Sequence, residues 1–214
     1  HMGLGIGISG TNCSDSGGGG AAPIGATLIK TNQTVSYTAG DDGDIQAGRA
    51  VDFFTLASAN PFGNVERFSG TDGSIFTFLG NTIIDWSTYD GSIVLGYGFY
   101  SNGGASGSIW DDAINDALAY SDGTYTSGWR LPNIKELQNL TDFSKSYYPI
   151  DYYPFNVTGV QYANLWSSST VASGTHQGWY FEGTFGRTMY TSKAQSSIYS
   201  IPVREFTVNG TTLT

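Results

Sequence analysis

The chain has a single cysteine, Cys13, among its 214 residues. One thiol can form neither an intrachain disulfide nor a cysteine-rich zinc site, so the fold depends on its hydrophobic core. Histidine is nearly as rare, because His176 is the only one besides the terminal His1. We interpret His176 as a surface-loop residue, since nucleophilic catalysis needs a base held beside the nucleophile. The sequence therefore predicts no catalytic residues, no metal site and no cofactor.

Basic residues are also few: nine Lys and Arg stand against 18 Asp and Glu, which gives a formal net charge of -9. Binding to phosphate backbones scales with the number of cations, so nucleic acid and heparin-like polymers are not expected partners. No apolar run reaches the roughly 20 residues that span a bilayer, so membrane insertion is not expected. His1 and Met2 resemble the remnant of an affinity tag, and a native export signal could have been removed with it.

Glycine and aromatic residues are abundant, with 30 Gly, 14 Tyr and 12 Phe. This composition is typical of many turns, short strands and aromatic packing, and it argues against a helical bundle. A length of 214 residues suits one domain of ordinary size. The early run of Ser and Gly has no side chains to bury. We therefore assign residues 1–26 to a Gly/Ser-rich N-terminal segment that includes the tag remnant, and residues 27–214 to one domain.

In the middle of the chain, the spacing of apolar residues changes from every second residue, which is typical of strands, to the spacing of a helix. Apolar residues recur at that spacing from Ile109 to Leu118, while acidic residues fill the opposite face. Ser108 and Asp111 resemble a capping pair, which suits the positive N-terminal end of a helix. We therefore predict a helix here, strands on both sides of the helical region, and a hairpin turn at Asp72 and Gly73.

A second helix is predicted directly after a proline. Asn133 and Glu136 have the spacing of a capping box, and Pro132 fixes the backbone before it. The apolar residues that follow lie on one helical face as far as about Phe143. The expected helix therefore runs from Asn133 to about Phe143.

Two motifs that contain tryptophan are interpreted as structural. We expect Trp129 and Leu131 to anchor the strand before the second helix, and Arg130 to bind backbone carbonyls or a carboxylate beside the cap. The serines at 167–169 lack the turn that exposes a catalytic nucleophile. We expect them to close hydrogen bonds around a buried Trp166.

Clustered carboxylates leave two alternatives open. The loop from Asp41 to Asp44 could hold calcium or be a solvated turn, although it lacks the longer ligand series of an EF-hand. On the first helix, Asp111, Asp112 and Asp116 could act as acid and base in glycoside hydrolysis. Helix capping explains these three residues better. An enzyme acting on a surface polysaccharide is nevertheless kept as the alternative hypothesis.

Three motifs occur in a fixed order: GWRLPNIKEL at 128–137, LWSSST at 165–170 and PVR at 202–204. Together they resemble the family of the C-terminal domain of the Legionella collagen-like adhesin and its bacterial, phage and archaeal relatives. That family has the pattern W-R-L-P-N-x-x-E-L, then Y-W-S-S-T, then V-R. Upstream, residues 39–48 are similar to its G-D-D-G-D-L-Q-x-G segment, and residues 67–86 stand where its hairpin lies.

The resemblance implies an α+β class, as a loop-rich C-type lectin-like fold with two helices, mostly antiparallel short strands, and terminal strands that pair with each other. It also relates the chain to formylglycine-generating enzymes and to variable proteins of diversity-generating retroelements. The former need reactive cysteines near the end of the chain, and none is present there. The implied function is a non-enzymatic ligand-binding domain, receptor-binding or adhesin, at an extracellular, cell or virion surface.

The last third of the chain has the composition of a binding surface. Between residues 168 and 200, runs of Ser, Thr, Tyr and Gly offer adaptable hydrogen bonds and aromatic contact area, although other loop-rich β proteins have similar runs. We regard Trp179, Phe181, Phe185 and Ile201 as candidates for the core. In relatives diversified by retroelements the variable residues lie in this part. The ligand-binding candidates are Thr175, His176, Gln177, Trp179, Tyr180, Glu182, Thr184, Arg187, Met189, Tyr190, Ser197 and Tyr199.

Trp179, Tyr180, Arg187 and Tyr190 are the first candidates for contact with a ligand. The expected partner is a protein or a glycan on another surface, with oligomerisation left open. An undiversified adhesin that binds glycans is the broader form of this hypothesis, and a diversified retroelement protein the sharper one. A third hypothesis is a structural cap at the end of a stalk.

Overall fold

The computed structural model describes residues 34–39, 53–75, 82–100 and 107–214. The N-terminal segment 1–26 with Cys13, and the acidic loop at 41–44, lie outside the described residues, so the predictions about them stay predictions. The turn expected at Asp72 and Gly73 is confirmed, while the hairpin strand expected after it, at 76–78, lies outside the described residues. Gly73 has a φ of +80°, and an Oδ1 atom of Asp72 accepts a hydrogen bond of 3.0 Å from the backbone N of Ser74.

The larger sheet contains six of the described strands. Its order is β1 (Phe68–Ser69), β2 (Thr82–Asp85), β3 (Ile93–Gly98), β8 (Val203–Asn209) and β4 (Trp129–Arg130), and β9 (Thr212–Leu213) also pairs with β8. Every pair is antiparallel. Strand β8 lies inside the sheet, where Val203 and Phe206 are fully buried.

The smaller sheet has three strands in the order of the sequence. These are β5 (Leu165–Thr170), β6 (Gln177–Glu182) and β7 (Arg187–Ser192), again antiparallel. Strands β6 and β7 form a regular hairpin, with pairs from Gln177 opposite Ser192 to Glu182 opposite Arg187. Since side chains alternate along a strand, this register sets which residues share a face.

These elements confirm the α+β class, with two helices and short antiparallel strands among the described residues. The C-type lectin-like topology stays an expectation from the resemblance. Among the described strands, the C-terminal β8 pairs with β3 and β4. Its pairing with an N-terminal strand would involve residues outside the described ranges, so that part also stays a prediction.

Helix α1 (Trp110–Leu118) forms where helical spacing predicted it, but its cap was predicted wrongly. The N-cap residue is Ile109, and no side chain caps the helix. Ser108 is instead held in a bridge with Ile198, and its carbonyl accepts a hydrogen bond from the indole of Trp166. The buried face is also narrower than expected, because Leu118 is 59% exposed.

Helix α2 (Ile134–Gln138) confirms the predicted capping box. The side chain of Asn133 accepts from the backbone N of Glu136 at 3.1 Å, and the Glu136 carboxylate accepts from the backbone N of Asn133 at 2.8 Å. The expected end near Phe143 was wrong. The chain leaves the helix after Gln138, and Leu140 is buried in a turn. Tertiary burial of Leu140 outweighs the helical spacing of the sequence.

Aromatic side chains fill much of the core. Trp86, Trp129 and Trp166 are each at most 2% exposed. Each indole N–H has an acceptor: the hydroxyl of Ser69 for Trp86, and backbone carbonyls for Trp129 and Trp166. A buried tryptophan packs stably only when its N–H is bonded, so these hydrogen bonds fix the orientation of all three rings.

One ion pair lies inside the core. Arg67 is 1% exposed and Asp85 0%. The guanidinium donates to both carboxylate oxygens, at 2.9 and 2.8 Å, and also to the carbonyl of Asn139 at 2.8 Å. Burial lowers the pKa of Arg67, but attraction to Asp85 outweighs it, so the pKa lies above its ordinary value. This pair links the loop before β1 to β2 and to the end of α2.

Candidate functional site

The two faces of the smaller sheet are covered by different helices. On one face, Leu165 and Phe181 pack with Leu137 of α2 in the largest core cluster. On the other, Trp166 and Tyr180 pack in a cluster that includes alanines of α1. Parts of the β6–β7 hairpin extend beyond both helices, and these parts can meet a ligand.

None of the twelve predicted surface residues is fully buried. The register divides them into a set on the α2 face (Gln177, Trp179, Tyr190), a set on the α1 face (Tyr180, Glu182, Arg187, Met189), the hairpin turn (Thr184), and the segments that flank the hairpin (Thr175, His176, Ser197, Tyr199). The two faces of a sheet point in opposite directions. One flat ligand therefore cannot contact all twelve.

On the α2 face, Trp179 and Tyr190 form an aromatic pair. They are directly opposite in the hairpin, and their ring centroids lie 5.3 Å apart at an interplanar angle of 78°. Tyr190 is 54% exposed, while Trp179 is half-buried. The pair is therefore a surface feature with one side anchored on the sheet.

On the α1 face, Tyr180 differs from the other candidates in its environment. The ring of Tyr180 packs 6.1 Å from that of Trp166, so its side chain takes part in the core. Arg187 is exposed, and its Nε lies 3.2 Å from a carboxylate oxygen of Glu182. An exposed ion pair of this kind contributes little stability, typically about 0–1 kcal/mol. Arg187 is thus available to a ligand, whereas Tyr180 serves mainly packing.

The turn of the β6–β7 hairpin is held against a separate loop, residues 141–149. The backbone N of Tyr148 donates to the carbonyl of Thr184 at 2.8 Å. Gly186 has a φ of +70°, and a Cβ added there would lie 2.6 Å from Pro149. Only glycine combines this backbone angle with such a close approach. The turn and the loop therefore form one packed unit.

Four exposed aromatic side chains surround this turn, and we call them the hairpin-tip cluster: Tyr147, Tyr148, Tyr162 and Phe185. They are 60%, 37%, 57% and 48% exposed, respectively. Tyr147 and Phe185 have ring centroids 5.2 Å apart, and Tyr148 and Tyr162 have centroids 4.8 Å apart. The four residues come from three separate segments of the chain. Large apolar groups gathered on a surface mark a site of interaction more often than scattered ones do.

The position of Phe185 corrects an expectation. Phe181 and Ile201 are each 1% exposed, which confirms them as core residues, whereas Phe185 lies on the surface. Phe185 lies in the hairpin turn. The glycines on either side of it make the close contacts with neighbouring segments, and the side chain of Phe185 points outward. The guanidinium of Arg187 lies 4.7 Å from the centre of its ring.

Tyr148 has a strained backbone. Its φ of +52° is the one positive value among the described non-glycine residues. That conformation costs of order 1–3 kcal/mol and persists only where the surroundings fix it. Two hydrogen bonds do so: its N–H donates to Thr184, and its carbonyl accepts from the N–H of Asp151 at 2.8 Å. The Tyr148 ring is therefore held in place at the cluster.

The structural interpretation of the W-R-L-P-N motif is confirmed. Trp129 and Leu131 are 2% exposed. The guanidinium of Arg130 donates to both carboxylate oxygens of Glu136, at 2.8 and 2.7 Å. This hydrogen bonding is the main cause that raises the pKa of Arg130 above its ordinary value. The motif thus joins β4 to the cap of α2.

The serines after Trp166 also have structural partners. The hydroxyl of Ser167 donates to the carbonyl of Trp179 at 2.7 Å, and the hydroxyl of Ser169 accepts from the backbone N of Ile134 at 3.2 Å. They connect β5 to β6 and to α2, as expected around the buried Trp166. His176 is exposed, and no hydrogen bond among the described residues joins it to either serine.

Metal-binding side chains are not grouped in the described ranges. Within these ranges no set of three or more His, Cys, Asp or Glu side chains could hold a metal ion. Across the same residues, no helix has the length and apolar character needed to cross a membrane.

The fold and the surface around the hairpin define an α+β domain with exposed aromatic residues on a rigid support. The profile of one family, the Lcl C-terminal domain, matches residues 81–204, which is more than half of the chain. The chain therefore belongs to this family, named after a domain of a Legionella collagen-like adhesin. The match includes all three sequence motifs and the hairpin-tip cluster. No curated protein is significantly similar to the chain.

Proposed function

We propose that this domain is a non-enzymatic binding module that attaches to a protein or glycan on another surface, outside the cell, and that the hairpin-tip cluster is its main contact surface. The observation that carries this proposal is the exposure of four aromatic rings that form two neighbouring pairs, Tyr147 with Phe185 and Tyr148 with Tyr162. Tyrosine combines a large apolar contact area with a polar group and loses little conformational entropy on binding. Membership of an adhesin-associated family supports the same function.

The support beneath the cluster also favours binding. The Tyr148 backbone is bonded to Thr184, and Gly186 packs against Pro149, so the rings are placed before a ligand arrives. A surface that is already ordered pays less entropy on binding. Arg187, beside Phe185, adds a planar donor group at the edge of the cluster.

The proposal is tested with the double substitution Tyr147→Ala and Phe185→Ala. Both side chains are about half exposed or more, so the melting temperature is expected to fall by less than roughly 4 °C, because a loss of about 1 kcal/mol shifts it by that amount. Binding to a glycan array and to a panel of bacterial and animal cells, measured by flow cytometry, is expected to weaken at least about tenfold, as interface hot spots do.

The matched control is Leu118→Ala, which removes an apolar side chain of similar exposure from α1. Its binding is expected to equal that of the unaltered domain. If the double variant Tyr147→Ala with Phe185→Ala binds as tightly as the unaltered domain, the assignment of the hairpin-tip cluster as the contact surface is contradicted. If the unaltered domain binds neither the array nor any cell in the panel, the proposal of an adhesive ligand fails.

Tyr190→Ala tests the α2 face separately. This substitution removes the more exposed member of the pair with Trp179. We expect a smaller loss of binding than for the hairpin-tip variant, since Tyr190 lies outside the hairpin-tip cluster and only one exposed ring is removed. Tyr180 is not suited to this test, because its contact with Trp166 would couple binding to stability.

A sharper form of the proposal is that the domain is the variable protein of a diversity-generating retroelement. In support, all twelve candidate positions are at least partly exposed, so they can change without loss of a core side chain. Sequencing of the DNA around the gene tests it. A reverse transcriptase with a near-copy of the codons for residues 165–205 that differs only at adenines is expected. Their absence leaves a fixed adhesin.

The alternative of a polysaccharide enzyme has less support. Asp111 and Asp112 are exposed in the first turn of α1, where the helix dipole accounts for them. A screen of glycosidase substrates is expected to give no turnover. Turnover that Asp112→Asn abolishes would overturn the proposal of a non-enzymatic module.

A further inference from the structure

We propose that a second site, distant in sequence from the hairpin, binds an alkylammonium group. The site is a pocket of about 310 Å³. We call it the Glu66 pocket, and its lining residues are Phe54, Glu66, Phe68, Ile75, Tyr152 and Tyr153. This inference does not depend on the proposed function, because none of these residues belongs to the hairpin-tip cluster or to the twelve candidates.

The local backbone explains why a carboxylate faces the pocket. Thr55 and Glu66 form an antiparallel bridge, and the backbone N of Arg67 donates to the carbonyl of Phe54 at 2.9 Å. Successive side chains of an extended segment point to opposite sides, so the side chains of Glu66 and Arg67 diverge. Arg67 enters the core, while the partly exposed Glu66 lines the pocket, as Phe54 does.

Aromatic rings form the walls of the pocket. The ring centroid of Tyr152 lies 5.2 Å from that of Phe54 and 5.7 Å from that of Phe68. Tyr153 is 40% exposed and lies at the rim, beside the half-buried Phe54. Aromatic faces carry negative charge density and attract cations within about 6 Å, more strongly where water is excluded.

The same core contains a comparable site that already holds a cation. The guanidinium of Arg67 lies 4.6 Å from the ring centres of both Phe53 and Phe68, and Asp85 neutralises it. The Glu66 pocket repeats this combination of aromatic rings and one carboxylate. Glu66 makes no hydrogen bond or ion pair with another described residue.

Other classes of ligand fit less well. An anion would be repelled by Glu66, and a neutral apolar ligand would remove water from the carboxylate without replacing its hydrogen bonds. Calcium takes six or more oxygen ligands, and magnesium keeps bound waters in a near-octahedral arrangement. One carboxylate among aromatic rings offers neither. An alkylammonium group satisfies both the charge and the apolar walls.

The size of the pocket limits the ligand further. At about 310 Å³ it lies at the small end of ligand pockets, so it suits a headgroup or the end of a side chain. A quaternary ammonium such as choline and the side chain of a lysine share this chemistry. The net charge of -9 attracts either one to the domain.

The test uses the whole chain and two probes, choline and Nα-acetyl-lysine methylamide, followed by amide NMR shifts. The neutral carbon isostere of choline, 3,3-dimethylbutan-1-ol, has the same shape without the charge. We expect saturable shifts at Phe54, Glu66 and Tyr153 for at least one cation. The isostere is expected to bind at least roughly tenfold more weakly, since the cation–aromatic attraction is lost.

Glu66→Gln keeps the shape of the side chain and removes its charge. It is expected to weaken binding of the cation about tenfold, while the NMR spectrum shows a folded domain. Asp112→Asn is the matched control, because it removes one exposed carboxylate on α1, and its affinity is expected to be unchanged. Tighter choline binding would assign a quaternary ammonium, and tighter lysine binding a lysine of a partner protein.

Three results would overturn the inference. The first is the absence of saturable shifts for both cations at concentrations in the tens of millimolar. The second is equal affinity for choline and its neutral isostere, which would indicate an apolar pocket only. The third is an equal effect of Glu66→Gln and Asp112→Asn, which would indicate attraction by net charge.

Discussion

The buried ion pair gives the most demanding test of how the core is held together. We consider Asp85→Asn, which keeps the size of the side chain and removes its charge. The Asp85 carboxylate accepts hydrogen bonds from Arg67, from the N–H and hydroxyl of Ser87, and from the Asn139 amide. After the substitution the Arg67 guanidinium, 1% exposed, has no counter-charge. Asn has one acceptor oxygen, so one of the two hydrogen bonds from Arg67 is lost, and the other loses strength because charge-assisted hydrogen bonds are about twice as strong as neutral ones.

The expected cost follows from this burial. Removing one partner of a buried pair destabilises a protein by about 3–5 kcal/mol, because the remaining charge is left without compensation. Arg67 keeps its bonds to the carbonyls of Asn139 at 2.8 Å and Phe53 at 3.3 Å, which favours the lower end. Domains are stable by only about 5–15 kcal/mol. The variant should therefore lose a large part of its stability.

Urea unfolding followed by tryptophan fluorescence measures this loss. The control is Glu205→Gln, which removes an exposed carboxylate 3.4 Å from Arg130 and is expected to cost less than about 1 kcal/mol. The double variant Arg67→Met with Asp85→Leu removes both charges, and it is expected to recover part of the loss. A loss below about 1 kcal/mol for Asp85→Asn would refute the assignment of this pair as a central element of the core.

Three further predictions concern other parts of the core and the hairpin. Burial raises the pKa of Tyr97 and of Tyr152. Their contribution to stability is therefore complete below the unfolded pKa of about 10 and is lost as the pH rises through the higher folded values. A melting temperature that stays constant from pH 9 to pH 12 would contradict this. Asn133→Ala should cost about 0.5–2 kcal/mol in urea unfolding through loss of the α2 cap, and Asn133→Asp, which can still cap, should cost less. Gly186→Ala should cost roughly 1–3 kcal/mol because of its positive φ and the contact with Pro149, and cell binding should weaken with it.

Local features of the fold were predictable from the sequence because their causes lie within a few residues. The capping box of Asn133 and Glu136 spans four residues, and Arg130 reaches Glu136 six residues away. The turn at Asp72 and Gly73 follows from the backbone angles that these residues favour. The cap of α1 was predicted wrongly for a physical reason. Ser108 has a competing partner in Ile198, which is close only in the folded chain.

The candidate site was less predictable. The sequence composition pointed to the last third of the chain, where Arg187 and Tyr190 are exposed, and the assignment of a binding surface there stays a prediction. It did not assign Tyr147 or Tyr162 to the site. The adjacent tyrosines before Pro149 are a visible signal of an aromatic loop, but nothing in the sequence brings that loop to the hairpin.

The sequence by itself determined the family, the α+β class, the start of α2 and the negative charge that argues against polyanionic partners. The tertiary structure alone decided that Phe185 is exposed, that aromatic rings from three segments form two pairs beside the hairpin turn, and that Arg67 pairs with Asp85 inside the core. The reason is how far apart along the chain the interacting residues lie. Caps and turns depend on neighbours along the chain, whereas burial depends on which distant segments pack together, and no local pattern contains that information.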